Sequence, residues 1–252
     1  MLRNFKLVVA YDGADFHGWQ VQPGLRTVQG LLSDAIARVT GDRVLPQGSG
    51  RTDAGVHALG QVVSVAISSP IPARGFLIAL NDHLPNSIRV MKATEVSPDF
   101  HARKSASAKT YRYRIFRGDI CPPFTARYVY HHPYPLDEEA MAIAAAKVIG
   151  EHDFTSFAAV DPERGREDVE VSNVRTLFCS NWQRHDSELI YTVRGSGFLQ
   201  HMVRNLVGTF LLVGKGTIKP SQISDILAAE ERSANPGATA PASGLCLVSV
   251  EY

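Results

Sequence analysis

The sequence predicts an α+β fold in two halves, and three observations carry that expectation. Strand-like and helix-like stretches are mixed along the chain without the strict alternation of a doubly wound parallel sheet. Each half holds several strands and at least two helices. A small polar linker, Ser105-Ala106-Ser107-Ala108, divides them near residue 105, giving an N-terminal half over 1–105 and a C-terminal half over 106–252.

The first half opens with a strand over Phe5–Tyr11, followed by a glycine-rich loop through Gly13, Gly18 and Gly24. Val28, Leu31, Leu32, Ala35, Ile36 and Val39 then recur at helical spacing, with Thr27 as N-cap and Gly41 as the C-terminal stop. Arg43–Gln47 suits a short strand and Gln61–Ile67, rich in β-branched residues, a longer one. A helix over Ala73–His83 and a strand over Ile88–Glu95 complete this half.

In the second half, Lys109–Arg117 has strong strand propensity. Asp137 caps a helix that runs to Ile149 and stops at Gly150, and Val171–Trp182 and Leu189–Gly195 pair across polar turn residues. Phe198–Val213 forms a helix, Pro220-Ser221 opens another, and Leu245–Tyr252 closes the chain as a strand.

Composition narrows the function classes. With 252 residues, 44% hydrophobic and 20% charged, the chain can bury a proper core. No stretch is long and apolar enough to span a membrane, and the N-terminus lacks the pattern of a signal peptide. Cys121, Cys179 and Cys246 are odd in number and widely spaced, as expected of reduced core thiols in a cytoplasmic protein. The net charge of +1 conceals a local asymmetry. Arg103, Lys104, Lys109, Arg112, Arg114 and Arg117 form a basic run without an intervening acid, and the mostly acidic stretch Glu151–Glu170 offsets it. Such a strip suits either a limited contact with a phosphate backbone or a solvated strand edge.

The segment with most chemistry is Gly48-Ser49-Gly50-Arg51-Thr52-Asp53-Ala54-Gly55-Val56-His57. Its glycines permit tight turns and close approach of a ligand, and one acid stands among a cation, a histidine and hydroxyls. A tight turn in which Asp53 bonds its own backbone is the plain structural alternative.

This run and its continuation Ala58-Leu59-Gly60-Gln61-Val62-Val63 resemble the signature of the TruA-type tRNA pseudouridine synthases. Further ordered blocks carry the resemblance over nearly the whole chain. They are Tyr11-Asp12-Gly13 with Gly18-Trp19-Gln20, Asn81-Asp82-His83-Leu84-Pro85, Phe100-His101-Ala102-Arg103, and Lys109-Thr110-Tyr111-Arg112-Tyr113. Asp153-Phe154-Thr155-Ser156-Phe157, Phe198-Leu199-Gln200-His201-Met202-Val203-Arg204-Asn205 and Ala240-Pro241-Ala242-Ser243-Gly244-Leu245 follow. Cys246 departs from the pattern, standing where relatives often carry an aromatic residue.

The resemblance implies a pseudouridine-synthase fold, with a mixed, largely antiparallel sheet around a central basic cleft. It also implies a cytoplasmic homodimer that binds tRNA and converts uridine to pseudouridine at positions 38, 39 and 40 of the anticodon stem-loop. Asp53 is then the essential acid. A carboxylate can attack ribose C1′, add at uracil C6, or assist departure of the base, and each route needs a nucleotide flipped out of its stack. The isomerisation requires neither electrons nor water, so no metal and no organic cofactor is expected.

Arg204 lies in the Phe198–Val213 helix, where Gly197, His201, Arg204 and Gly208 share a face by helical spacing, small residues beside a cation as on a helix that faces a cleft. By itself it reads as a surface arginine; the resemblance makes it the cation that keeps Asp53 ionised. Tyr111, Tyr113 and Ile115 share one face of their strand, and Arg112 and Arg114 the other. Tyr113 reads as core, whereas the resemblance gives Tyr111 the role of stacking on the flipped uracil. Arg51 suits a phosphate of the substrate, Arg112 and Arg114 suit the RNA backbone, and His57 reads as structural. A catalytically silent RNA-binding protein or chaperone is the alternative, but it would not need Asp53, Arg204 and Tyr111 together. A hydrolase would want metal ligands or a second carboxylate.

Overall fold

The computed structural model describes residues 2–159 and 172–252. The chain forms two compact units, one of residues 1–107 and 246–252, the other of residues 108–245.

The first unit contains β1 (Arg3–Tyr11), α1 (Val28–Thr40), β2 (Gln47–Gly48), β3 (His57–Ile67), α2 (Ala73–His83) and β4 (Ile88–Val96). The closing strand of the chain, β10 (Leu245–Glu251), joins them. The sheet order is β4-β1-β3-β10, with β2 on β3. Strands β4, β1 and β3 are antiparallel, whereas β10 runs parallel to β3, with Cys246 opposite His57. Strand alternation divides β1 between two environments. Phe5, Leu7 and Val9 are fully buried, together with Leu32 and Ile36 of α1 and Phe76 and Leu80 of α2. Phe5 meets Phe76 edge-on at 5.2 Å. Lys6 and Val8 point to the other face and stay partly exposed.

Helix α1 begins where the sequence says it should. Thr27 accepts a hydrogen bond from the Gly30 amide, and Gly41 at φ 81° closes the helix in the left-handed conformation.

The second unit holds β5 (Ala108–Phe116), α3 (Pro123–Ala126), β6 (Tyr130–His131), α4 (Glu138–Ala146) and β7 (Gly150–Asp153). The hairpin of β8 (Val174–His185) and β9 (Glu188–Gly195) follows, then α5 (Met202–Gly214) and α6 (Gln222–Ala228). Its strands are ordered β5-β9-β8-β7, with β6 parallel to β5. Tyr113, Tyr191 and Trp182 stand abreast on three successive strands, and Phe210 of α5 packs edge-on against Tyr191 and Trp182. All four rings lie in the core.

The architecture is α+β with strands of both senses, as the sequence predicts. Several boundaries differ. The short strand expected over Arg43–Gln47 is only Gln47–Gly48. The helix capped by Asp137, whose carboxylate accepts the Ala140 amide, ends at Ala146 rather than Ile149. Gly150, at φ 107°, begins β7 instead of ending that helix. Residues 246–252 of the closing strand belong to the first unit rather than to the half that precedes them in sequence. The three cysteines are half-buried rather than core residues. The start of the strand expected from Val171, and most of the acidic stretch, lie outside the described residues.

Candidate active site

The Asp53 loop is fixed by backbone and buried side chains of the first unit. At its entrance the Ser49 amide donates to the Val62 carbonyl, and the Ser49 hydroxyl donates to Gln61 Oε1 at 2.7 Å. Gln61 Nε2 in turn donates to the Gly50 carbonyl at 2.9 Å. The next anchor is Thr52, which is buried: its hydroxyl and the Tyr11 hydroxyl are 2.8 Å apart, and its carbonyl accepts the Trp19 amide at 3.0 Å. Burial raises the Tyr11 pKa far above the usual phenol range, so this contact is made by a neutral hydroxyl.

Asp53 therefore sits between a pinned residue and a tight turn. Its own carbonyl accepts the Val56 amide at 3.1 Å, and Gly55, at φ 79°, supplies the left-handed step of that turn. Gly18 explains the close approach from the other side. Its φ is 86°, and a Cβ there would lie 2.6 Å from the Thr52 carbonyl oxygen. Asp53 is half-buried and Arg51 exposed. His57 is buried, with Nδ1 accepting the Gly13 amide at 3.0 Å and lying 3.2 Å from Asp12. It fastens the end of the loop to the end of β1, which is the structural role its position suggests.

In the second unit Tyr111 lies on β5, almost fully buried, with its ring edge-on to Phe198 at 5.0 Å. Tyr113 is wholly buried and donates to the Pro241 carbonyl at 2.7 Å. Gly244 leaves room for that ring, since a Cβ would lie 2.6 Å from it.

Arg204 belongs to α5, and it is clipped to the segment that precedes β10. Its Nε donates to the Ala240 carbonyl at 2.7 Å, while the Ala240 amide donates to the Arg204 carbonyl at 3.1 Å. Asn205 continues the clip, donating to Phe157 O at 2.7 Å and accepting from the Thr239 hydroxyl at 2.7 Å. Thr209 donates back to the Asn205 carbonyl.

The helix surroundings correct the earlier expectation. Helix α5 starts at Met202 with His201 before it in the left-handed conformation at φ 58°, so Gly197 is not on the Arg204 helix face. Nor does Gly208 open a cleft. A Cβ there would stand 1.8 Å from the Ala238 carbonyl oxygen, so the glycine is needed for the segment 238–240 to lie against α5. Sequence reasoning did not single out Gln61, Asn205, Thr239 or Phe198 as positioning residues. The motif blocks contain three of them, but only the fold shows what they hold.

Arg112 and Arg114 occupy the face of β5 opposite Tyr111, as strand alternation predicts. Arg112 is exposed, whereas Arg114 makes a two-pronged ion pair with Glu188 at 2.6 and 2.7 Å. Among the described residues, no three His, Cys, Asp or Glu side chains converge as a metal site.

Comparison with known proteins gives this geometry its class. A family model described as tRNA pseudouridine synthase matches residues 7–103 and 144–252. A "tRNA pseudouridine synthase A" of Solibacter usitatus is 53% identical over 251 residues, covering 100% of both chains. Proteins of the same name from Caldicellulosiruptor saccharolyticus and Lacticaseibacillus casei are each 44% identical, again over 100% of both chains. The chain belongs to the tRNA pseudouridine synthase family, a family of isomerases.

Proposed function

We propose that the protein isomerises uridine to pseudouridine at positions 38, 39 and 40 in the anticodon stem-loop of tRNAs, with Asp53 as the nucleophile. The observation that carries this reading is the immobilisation of the Asp53 loop, in a chain whose family performs this class of reaction. A half-buried carboxylate on a backbone pinned at Ser49, Thr52 and Val56 is a pre-aimed group, and aiming is worth several kcal/mol to a reaction on a bound substrate.

The chemistry exchanges one bond for another. The N1–C1′ bond breaks, the C5–C1′ bond forms, the C5 proton is lost and N1 gains a proton. Composition is unchanged, so no electron carrier and no hydrolytic water enters. The target uridine leaves its stack before reaction, at a cost of a few kcal/mol. Tyr111 stacks on the extruded uracil, a role supported by a ring already braced by Phe198. Arg204 is the cation that keeps Asp53 ionised; this assignment rests on the resemblance. Arg51 and Arg112 meet substrate phosphates, with Arg114 as an auxiliary because Glu188 already engages it. Action as a cytoplasmic homodimer belongs to the same proposal and has the same source.

Incubating the purified protein with unmodified tRNA transcripts and mapping pseudouridine by position tests the reading. Product confined to positions 38–40 is expected. Product elsewhere overturns the site assignment, and RNA binding without product favours a silent RNA-binding protein.

A further inference from the structure

The Phe100-His101-Ala102-Arg103 block plays no part in the chemistry above, yet the fold invests many contacts in it. Residues 97–107 form a strap across the face of the first unit's sheet that carries Lys6 and Val8. Asn4 Nδ2 donates to the carbonyls of Ser97 at 3.0 Å and Phe100 at 2.9 Å. Ser64, which stands opposite Lys6 on β3, accepts the Ala102 amide at 3.1 Å. The Tyr252 hydroxyl donates to the Ala102 carbonyl at 2.9 Å, and Ser107 bonds to Glu251.

The tip of the strap is folded on itself. His101 Nδ1 accepts the amides of Arg103 at 3.1 Å and Lys104 at 3.3 Å, and Ser105 closes back on His101 through two bonds. Arg103 and Lys104 are thereby held outward and exposed on a braced turn. Against them the strap carries a single carboxylate, Asp99.

Beside the strap lies Lys6. Its amino group is 3.8 Å from the centre of the Tyr252 ring and 5.3 Å from that of Phe100, and the two rings are 4.9 Å apart. Desolvation, and then the neighbouring Lys92, lower the Lys6 pKa. Lys92 is exposed on β4, opposite Val8. Among the described residues, no carboxylate forms an ion pair with Lys6, Lys92, Arg103 or Lys104. Two aromatic faces partly offset the desolvation of Lys6, but they do not neutralise a cluster of four cations.

We infer that Lys6, Lys92, Arg103 and Lys104 form a second phosphate-backbone contact for the substrate RNA, on the sheet face opposite the Phe5–Val9 core and apart from the Asp53 loop. The separation is real: Lys6 stands five residues before Tyr11, roughly 16 Å along the strand, and points to the other face. The occupant is a polyanion because the patch offers cations, with a half-exposed Tyr252 ring, and almost no acid. The inference rests on the proposed action on tRNA. It adds that the RNA is gripped at a place where no chemistry occurs.

The test is the salt dependence of binding to an unmodified tRNA transcript. Lys6→Gln/Lys92→Gln/Arg103→Gln together should weaken binding at least tenfold near 0.1 M salt. The slope of log K against log salt should become shallower by about two, as expected for lost phosphate contacts. Arg103→Gln alone, on an exposed turn with no packing to lose, should shift the slope by less than one, and the charge-retaining Arg103→Lys should not. An unchanged slope in the triple variant overturns the inference. So does an unchanged slope accompanied by loss of the dimer in size-exclusion chromatography, which would make the patch an interface between copies. Product mapping on the wild-type protein separates the two readings. A slope change without any pseudouridine from wild type removes the proposed activity and leaves an RNA-binding face. Full activity with an unchanged slope removes only the face.

Discussion

The loop that carries Asp53 and the helix that carries Arg204 are both held in place, with different materials. The loop has little secondary structure of its own. It relies on buried neighbours reaching in, Tyr11 to Thr52 and Gln61 to Gly50, and on glycines that let chain segments touch. Helix α5 is buried along almost its entire length, and Arg204 is locked by a reciprocal pair of bonds to Ala240. The loop is thus held from outside, by Gln61 eleven residues on from Gly50 and by Tyr11 forty-one residues before Thr52, and these bonds are not made by Asp53's own side chain. The helix site likewise depends on a segment thirty-six residues away, but there Arg204 itself makes the bonds, through its own Nε and carbonyl to Ala240.

That difference is where perturbation should tell the two apart. Arg204→Gln is expected to reduce turnover by on the order of a hundredfold, the scale of loss when a catalytic group is no longer held or oriented. Arg204→Lys should recover only part of it, because lysine keeps the charge and loses the Nε bond to Ala240. Full recovery by lysine, in a pseudouridine assay, would mean that the clip is dispensable.

Gly208→Ala attacks the same clip from the backbone. The added methyl meets the Ala238 carbonyl, and main chain cannot swing aside, so a stability loss of about 3 kcal/mol is expected in urea unfolding. Activity should fall with it, as residues 238–240 are forced off the helix.

In the loop, Thr52→Val keeps the volume and removes the hydroxyl that meets Tyr11. Removing one of the two side chains that hydrogen-bond that buried phenol, with Gln61 the other, should cost about 1 kcal/mol, and turnover should fall because Asp53 is the next residue. A variant that loses stability yet keeps full turnover would show that the loop does not need this anchor.

The smallest effect belongs to the opposite face of β5. Arg112→Gln should reduce the salt slope of tRNA binding by about one, and Arg114→Gln by less, since Glu188 already engages that guanidinium. Equal effects from both would show that the ion pair opens to admit RNA.

Much of this was legible beforehand, and the limits have physical reasons. Thr27 and Gly41 bracket α1 as their chemistry dictates, because caps are local. The β5 alternation correctly separated Tyr111 from Arg112. By contrast, the sequence predicts a helix from Phe198, four residues before α5 begins at Met202. Apolar spacing continues back to Phe198, while His201 takes a left-handed conformation that periodicity cannot reveal. Gly208 suggested an open face because a glycine looks the same whether it borders a cleft or admits a backbone. The placement of β10 beside β3 is a long-range pairing, and nothing near residue 246 in sequence announces it.

The central claim is that the carboxylate of Asp53 performs the chemistry, and Asp53→Asn tests it most directly. Asparagine preserves the size of the side chain and leaves the bonds at Ser49, Thr52 and Val56 in place. Single-turnover incubation of this variant with unmodified tRNA, beside the wild type, should show undiminished RNA binding and no pseudouridine. Appreciable pseudouridine at positions 38–40 from the asparagine variant would contradict the account.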